Sequence, residues 1–206
     1  MARYRGPKCR LSRRVGMDLE NKSGVKPIDK KCRFEQSPGK PAGRRARGSD
    51  YGIQLNMKQT IRYYYDLSEK QFRNLYKKAD KASGSTGDNL LIYLESRLDN
   101  ITYRLGLAST RAEARQMVRH GHIAVNGQRV NIPSFNCKIG DEVSVIESYR
   151  KHERVTRSIQ LSEQKEMVNW LSREKDQFIG KVNDFADPAF FADMFKVNLV
   201  IELYSK

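Results

Sequence analysis

Three arginines, Arg111, Arg115 and Arg119, stand four residues apart in the stretch TRAEARQMVRHGH. On a helix that spacing predicts three guanidinium groups on one face. Forks of donors in a row suit the phosphates of a polyanion. His120 and His122 follow at the helix end, where they either contact that polyanion or simply answer the helix dipole. Arg62-Tyr63-Tyr64-Tyr65 interleaves a cation with rings, an arrangement that holds phosphate while stacking on bases. We expect Arg62 and Tyr64 to act this way and at least one of the tyrosines to pack the core. Lys70, Arg73, Lys77 and Lys81 fall on one side of a helix whose other side carries Phe72, Leu75, Tyr76 and Ala79. The first set reads as a phosphate-facing stripe, the second as core.

Chemistry of other kinds finds little support. Nucleophilic catalysis needs a nucleophile, a base and an orienting group, and the chain has only three histidines. No paired carboxylates, glycine-rich phosphate loop or HExxH pattern occurs, so no enzyme activity is expected. A structural zinc site needs closely spaced ligand pairs. Cys9 is followed three residues later by Ser12, and Cys32 and Cys137 have no nearby partner. No metal and no cofactor are predicted. Three scattered cysteines fit free thiols in a reducing, cytoplasmic setting. No apolar run reaches membrane-spanning length, so no membrane association is expected.

The elements that position these residues can be read in order. Residues 1–48 hold Pro and Gly at short intervals and little apolar periodicity. The first fifty residues carry 15 Lys/Arg against 5 Asp/Glu, two thirds of the net +15. Such a segment reads as a basic extended arm that orders on a polyanionic partner. Residues 49–95 read as a helical domain. Ser49 or Asp50 can cap its first helix, and Ser68-Glu69-Lys70-Gln71 is a capping box for the next. Asp88 can cap a long helix carrying Leu90, Leu94, Leu98, Ile101 and Leu105, with Gly106 at its end. Thr110 to Glu113 is a second capping box, opening the arginine helix. Asn126-Gly127 between apolar triplets predicts a two-residue hairpin, and Glu142 to Ile146 a strand beside it. Residues 96–162 thus read as a module of two helices on a small antiparallel sheet. Residues 163–206 are predicted to close back on the helical domain. The fold class is α+β, with Asn126 carrying the hairpin tip towards RNA.

At this point a family resemblance enters. The segments MARYRGPKCRLSRR, SDYGIQLNMKQTIRYYY, EKQFRNLYKKA, LESRLDNITYRLGLASTRAEARQMVRHGHIAVNG and LVIELYSK run in order from Met1 to Lys206. Together they resemble the bacterial small-subunit ribosomal protein S-four family. The resemblance implies a primary binder of 16S rRNA that nucleates assembly of the 30S body at a helix junction in the 5′ domain. It also implies contact with small-subunit protein five, an interface linked to decoding accuracy, and with other 30S proteins. A place at the mRNA entry channel and repression of its own operon follow in the same way. DNA is not an expected partner. On this reading Arg111, Arg115, Arg119, His120, His122 and Asn126 contact RNA from the module. Lys58, Arg62, Tyr64, Arg73 and Lys77 extend the surface over the helical domain. Arg3, Tyr4, Lys8, Arg10, Arg13, Arg14, Arg44, Arg45 and Arg47 contribute from the arm. Some family members bind zinc through four arm cysteines; Ser12 stands where one of those would be, so that cofactor is not carried over. The stretch from Asn183 to Asn198, with Phe185, Phe190, Phe191 and Phe195 among aspartates, reads as core or protein contact.

Overall fold

A computed structural model describes residues 4, 6–22, 26–39, 49–173 and 178–205. The predicted contacts at Arg3, Arg44, Arg45 and Arg47 lie outside the described residues. The class is α+β, helices with a five-stranded antiparallel sheet, and the chain divides into two compact units.

The first unit runs to residue 22, resumes from 26 to Leu90 and is completed from Pro188 onward. Its helices are α1 (Lys8–Val15), α2 (Asp50–Tyr64), α3 (Glu69–Asp80) and the beginning of α4 (Thr86–Glu95). The last helix of the chain, α9 (Val197–Ser205), lies along α2. Ser49 caps α2 by accepting from the Gly52 amide, and the Ser68–Gln71 capping box opens α3. The core gathers Ile61, Leu67, Phe72, Phe191, Phe195 and Val200.

The arm departs from the extended form expected of it. Lys8–Val15 is a helix, Ile28–Lys30 is a turn of 3-10 helix, and Leu11 and Leu19 are buried. Pro7 opens the helix and Gly16, at φ 74°, closes it in the left-handed region. The Lys8 ammonium pairs with Asp66 at 3.2 Å, which lies in the turn after α2. A single leucine in an eight-residue helix is too weak a pattern to announce it, yet it suffices once the helical block offers a surface.

The second unit lies within residues 91–187. It holds the rest of α4, then α5 (Leu98–Arg104), α6 (Arg111–Arg119), α7 (Glu147–Arg150) and α8 (Glu153–Ser162). Its strands are β1 (Ile123–Val125), β2 (Gln128–Arg129), β3 (Glu142–Val145), β4 (Leu171–Arg173) and β5 (Ile179–Val182), in the order β2-β1-β3-β5-β4. Asn126 (φ 51°) and Gly127 (φ 77°) make the hairpin turn, both left-handed as a type I′ turn demands. β3 pairs with β1 with Ala124 opposite Ser144.

Three expectations are corrected here. The predicted long helix is two helices, α4 capped by Ser85 (3.4 Å to the Asp88 amide) rather than by Asp88. The break falls at Ser96–Arg97. Arg97 is extended, and the first amides of α5, Leu98 and Asp99, donate to the carbonyls of Phe135 and Pro133. Donors that α4 would have consumed are met by a loop thirty-five residues away, so local periodicity could not reveal the interruption. The C-terminal boundary also moves. Leu171–Arg173 and Ile179–Val182 form β4 and β5, which extend the sheet through β3–β5 pairing, so only the segment from Pro188 closes on the helical block.

Candidate nucleic-acid interface

The arginine helix α6 forms where the sequence places it, with Thr110 accepting from the Glu113 amide at 3.2 Å. The reciprocal half of the predicted box is replaced: Glu113 accepts from the Ser109 amide at 2.9 Å. The three arginines do not share one exposed face. Arg111 and Arg115 are each 4% exposed, on the side of α6 that also buries Ala114, Met117 and Val118. Arg115 donates from Nε (2.9 Å) and Nη2 (2.7 Å) to Oδ2 of Asp99, which also pairs with Arg97 at 2.8 Å. Arg111 donates to the Asn100 side chain at 2.9 Å, and its guanidinium lies 4.4 Å from the centre of the Tyr103 ring. The physical reason lies on α5: the Asp99 carboxylate draws Arg115 inward, and the Asn100 side chain and the Tyr103 ring hold Arg111. Arg119, about one turn beyond Arg115, is exposed.

Tyr64 is likewise corrected. It is 3% exposed and packs edge-on to Tyr65 (5.1 Å) and Phe195 (5.2 Å). Its neighbour Tyr63 is only half-buried, beneath the Arg62 guanidinium at 4.8 Å.

The remaining described residues sort by their partners. Tyr4, Arg10, Arg14, Arg73, Lys77, Arg119, His120 and Asn126 are exposed. Lys8 is paired to Asp66, and Arg13 donates to the Gln36 carbonyl at 2.6 Å, so both tie the arm together. Lys58 (2.8 Å) and Arg62 (3.5 Å) face Glu69. Burial opposes ionisation of Glu69, but hydrogen bonds from Lys58 and Tyr204 and the nearby charges of Lys58 and Arg62 outweigh it. Its carboxyl is held below the usual range. Asn126 bonds Asp141 through its amide (2.9 Å) and accepts from the Glu142 amide (2.9 Å), locking the hairpin tip to β3. His122 is half-buried and stacked on Tyr149, with ring centres 3.8 Å apart.

In the first unit two basic features emerge. Lys70, Arg73, Lys77 and Lys81 are exposed along α3 and its end, opposite buried Phe72, Tyr76 and Ala79. Arg10, Arg14 and Arg62 line a cavity of about 450 Å³ with Tyr4 and Tyr63, its acidic groups being Asp66 and Glu69. In the second unit, Arg119, Arg129 and Arg154 are exposed near the helix–hairpin corner. Among the described residues no group of three or more His, Cys, Asp or Glu is placed to hold a metal. Cys137 is buried, and burial together with Asp141 and Asp99 pushes its thiol up to about 12.

Comparison with known proteins follows the same division of the chain. Residues 3–95 match the ribosomal protein S4/S9 N-terminal domain and residues 96–143 match the S4 domain. Over all 206 residues, and the full length of each relative, the chain is 52% identical to a small ribosomal subunit protein uS4 of Coxiella burnetii (strain RSA 493 / Nine Mile phase I). It is 50% identical over the same span to proteins so named from Dichelobacter nodosus and Hydrogenovibrio crunogenus. The chain belongs to the ribosomal protein S4 family. It is a structural ribosomal protein and not an enzyme.

Within this S4 protein the matched S4 domain ends inside β3, and the sheet continues through β5 and β4. Residues that sequence reading passed over include Arg97 and Asp99, the core of the buried charge cluster, and Tyr149, His152 and Arg154. Asp99 carried no local signal, since one step along the helix from Leu98 turns it about 100° off the apolar stripe of Leu98, Ile101 and Leu105. For Tyr149 and His152 no local signal existed, because their neighbour His122 is twenty-seven and thirty residues away.

Proposed function

We propose that this S4-family protein is a structural constituent of the small ribosomal subunit that binds 16S rRNA directly. Phosphate neutralisation supplies most of the affinity, and the shape of a folded junction in the 5′ domain supplies the specificity. The observation that carries the reading is the exposed, unshared set of basic side chains in each unit: the α3 stripe of Lys70, Arg73 and Lys77, and Arg119 at the end of α6. Each stands opposite a packed apolar face, so its charge serves a partner rather than the fold. Arg10 and Arg14 continue the surface from the arm. Arg111 and Arg115 act indirectly by holding α5 against α6.

On this reading the protein nucleates assembly of the 30S body, contacts small-subunit protein five and other 30S proteins, lines the mRNA entry channel, and represses its own message. The full-length relatedness to proteins named uS4 supports this finer set, as does the basic balance of the first fifty residues. Its place is the cytoplasmic ribosome.

Footprinting on naked 16S rRNA across a salt series tests it. The expected result is protection confined to a 5′-domain junction. Arg119→Ala and Arg73→Ala each weaken binding by about 1 kcal/mol and reduce the salt slope by about one. Diffuse protection that vanishes at moderate salt would remove the assembly role.

A further inference from the structure

Two of the three histidines of this chain stack on one tyrosine, and the third abuts one of them. His122, just before β1, stacks on Tyr149 of α7 with ring centres 3.8 Å apart and planes 3° from parallel. His152, between α7 and α8, stacks on the same ring at 4.7 Å. Tyr149 thus holds both imidazoles against its ring. His120 stands edge-on to His122 at 5.8 Å. The Arg129 side chain from β2 crosses the backbone here, its Nη2 donating to the His120 carbonyl at 2.9 Å. It can do so only because residue 121 is glycine; a Cβ there would lie 2.1 Å from Arg129 Nε. Arg154, in the first turn of α8, lines the crevice beneath the rings.

Resting on the rRNA-binding reading above, we propose that this cluster is a proton-linked phosphate site. A backbone phosphate of the RNA seats on the imidazoles with Arg129 and Arg154, and binding takes up a proton from solvent.

The geometry selects both ligand and linkage. The crevice between His120, His122, Tyr149 and Arg154 is about 30 Å³, room for an oxygen-sized group. Nδ1 of His152 accepts from the Arg154 amide at 3.3 Å, so the neutral ring carries its proton on Nε2 and presents a donor. The charged groups facing His122 come from every neighbouring element: His120, Arg129, His152 and Arg154, with Glu113 of α6 as the acid on the crevice wall. Glu113 is already engaged by the Ser109 amide and hydroxyl (2.9 and 2.5 Å). In the free protein, burial first and then His120, Arg129 and His152 hold His122 below its ordinary value. A phosphate reverses the sign of that field and favours the imidazolium. The sign of the linkage follows: the bound form holds more protons than the free form, so affinity rises as pH falls through the histidine range.

The test uses full-length protein and a 5′-domain 16S rRNA fragment at fixed ionic strength. Affinity is expected to be about tenfold tighter at pH 6.0 than at pH 7.5, one proton being worth at most about tenfold per pH unit. The doubly substituted His122→Phe, His152→Asn protein retains an aromatic ring on Tyr149 and a helix-capping acceptor but loses two titrating groups. Its ratio between the two pH values is expected to fall below about twofold. Arg119→Ala, by contrast, lowers affinity by the same factor at both. In the wild-type protein the three imidazole Cε1–H signals can be titrated by NMR in free and bound states, and His122 is expected to titrate higher when RNA is present. Equal affinity at the two pH values, a doubly substituted protein that keeps the wild-type ratio, or an unmoved His122 titration would overturn the site while leaving rRNA binding intact. Absence of binding at every pH would overturn both.

Discussion

Asp99 decides what the arginines of this chain can do. Its carboxylate accepts from both Arg97 and Arg115 at 2.7–3.0 Å, and all three side chains are buried. A charge cluster of this kind is sensitive to loss of its odd member, because two guanidiniums are then left together in a poorly solvated place. Asp99→Asn is expected to destabilise the second unit by about 3–5 kcal/mol in urea unfolding. Arg115→Ala, which leaves Asp99 with Arg97, is expected to cost less. Arg119→Ala, which removes an exposed side chain, should shift stability by less than about 0.5 kcal/mol. The ordering separates scaffold from surface: a loss of RNA binding in Arg115→Ala accompanied by unfolding reports on the fold, whereas the same loss in Arg119→Ala without unfolding reports on contact. Equal stability of Asp99→Asn and wild type would show that the cluster is not a stability element.

At the scale of elements, ends matter more than interiors. Ser49, Ser68, Thr110 and His152 each accept from the first turn of the helix they open, and three of the four caps stand out in the sequence as serine or threonine. The end of α5 is as tightly defined. Gly106 adopts φ 74°, and a Cβ there would lie 2.2 Å from that of Ser162 at the end of α8. Ser162 in turn accepts from Arg173 of β4 at 2.7 Å. Gly106→Ala therefore combines a left-handed backbone with overpacking, and a loss of about 2 kcal/mol or more is expected. Gly127→Ala at the hairpin tip meets no atom within 4 Å and should cost only about 1 kcal/mol, from conformation alone. Thermal unfolding of the two variants compares them directly; equal losses would mean that the Ser162 contact yields without cost.

Across the whole molecule, the second unit is drawn almost entirely from one contiguous stretch, whereas the first needs both ends of the chain. α9 returns to α2 through Gln54–Glu202 (2.9 Å), and Tyr204 reaches Glu69 (2.9 Å) and stacks near Tyr76 (4.5 Å). Val200 is fully buried. Val200→Asp places a carboxylate there and is expected to cost about 3 kcal/mol or more. Hydrogen exchange should then show amides of α2 and α3 losing protection while those of β1 and β3 keep theirs. Loss of protection in both sets to the same degree would mean that the two units unfold as one.

The sequence by itself determined the local pieces: the helices α2, α3 and α6 with their caps, the Asn126-Gly127 hairpin, the strand after Asp141, and the polarity of α3. These depend on hydrogen bonds and side-chain faces within a few residues, so spacing is sufficient. The family was legible too, because its segments recur in order along the chain. What only the tertiary structure decided is which polar faces look inward. Spacing places Arg111 and Arg115 near one another on α6, but it cannot say that Asp99 and Asn100 wait on that side. It aligns Tyr63 and Tyr64 without telling which one meets Phe195, some 130 residues later. It leaves the three histidines in two separate places, and the fold brings His122 and His152 to one ring with His120 beside His122. Burial of a charge depends on a partner distant in sequence, and that dependence is invisible to any local pattern.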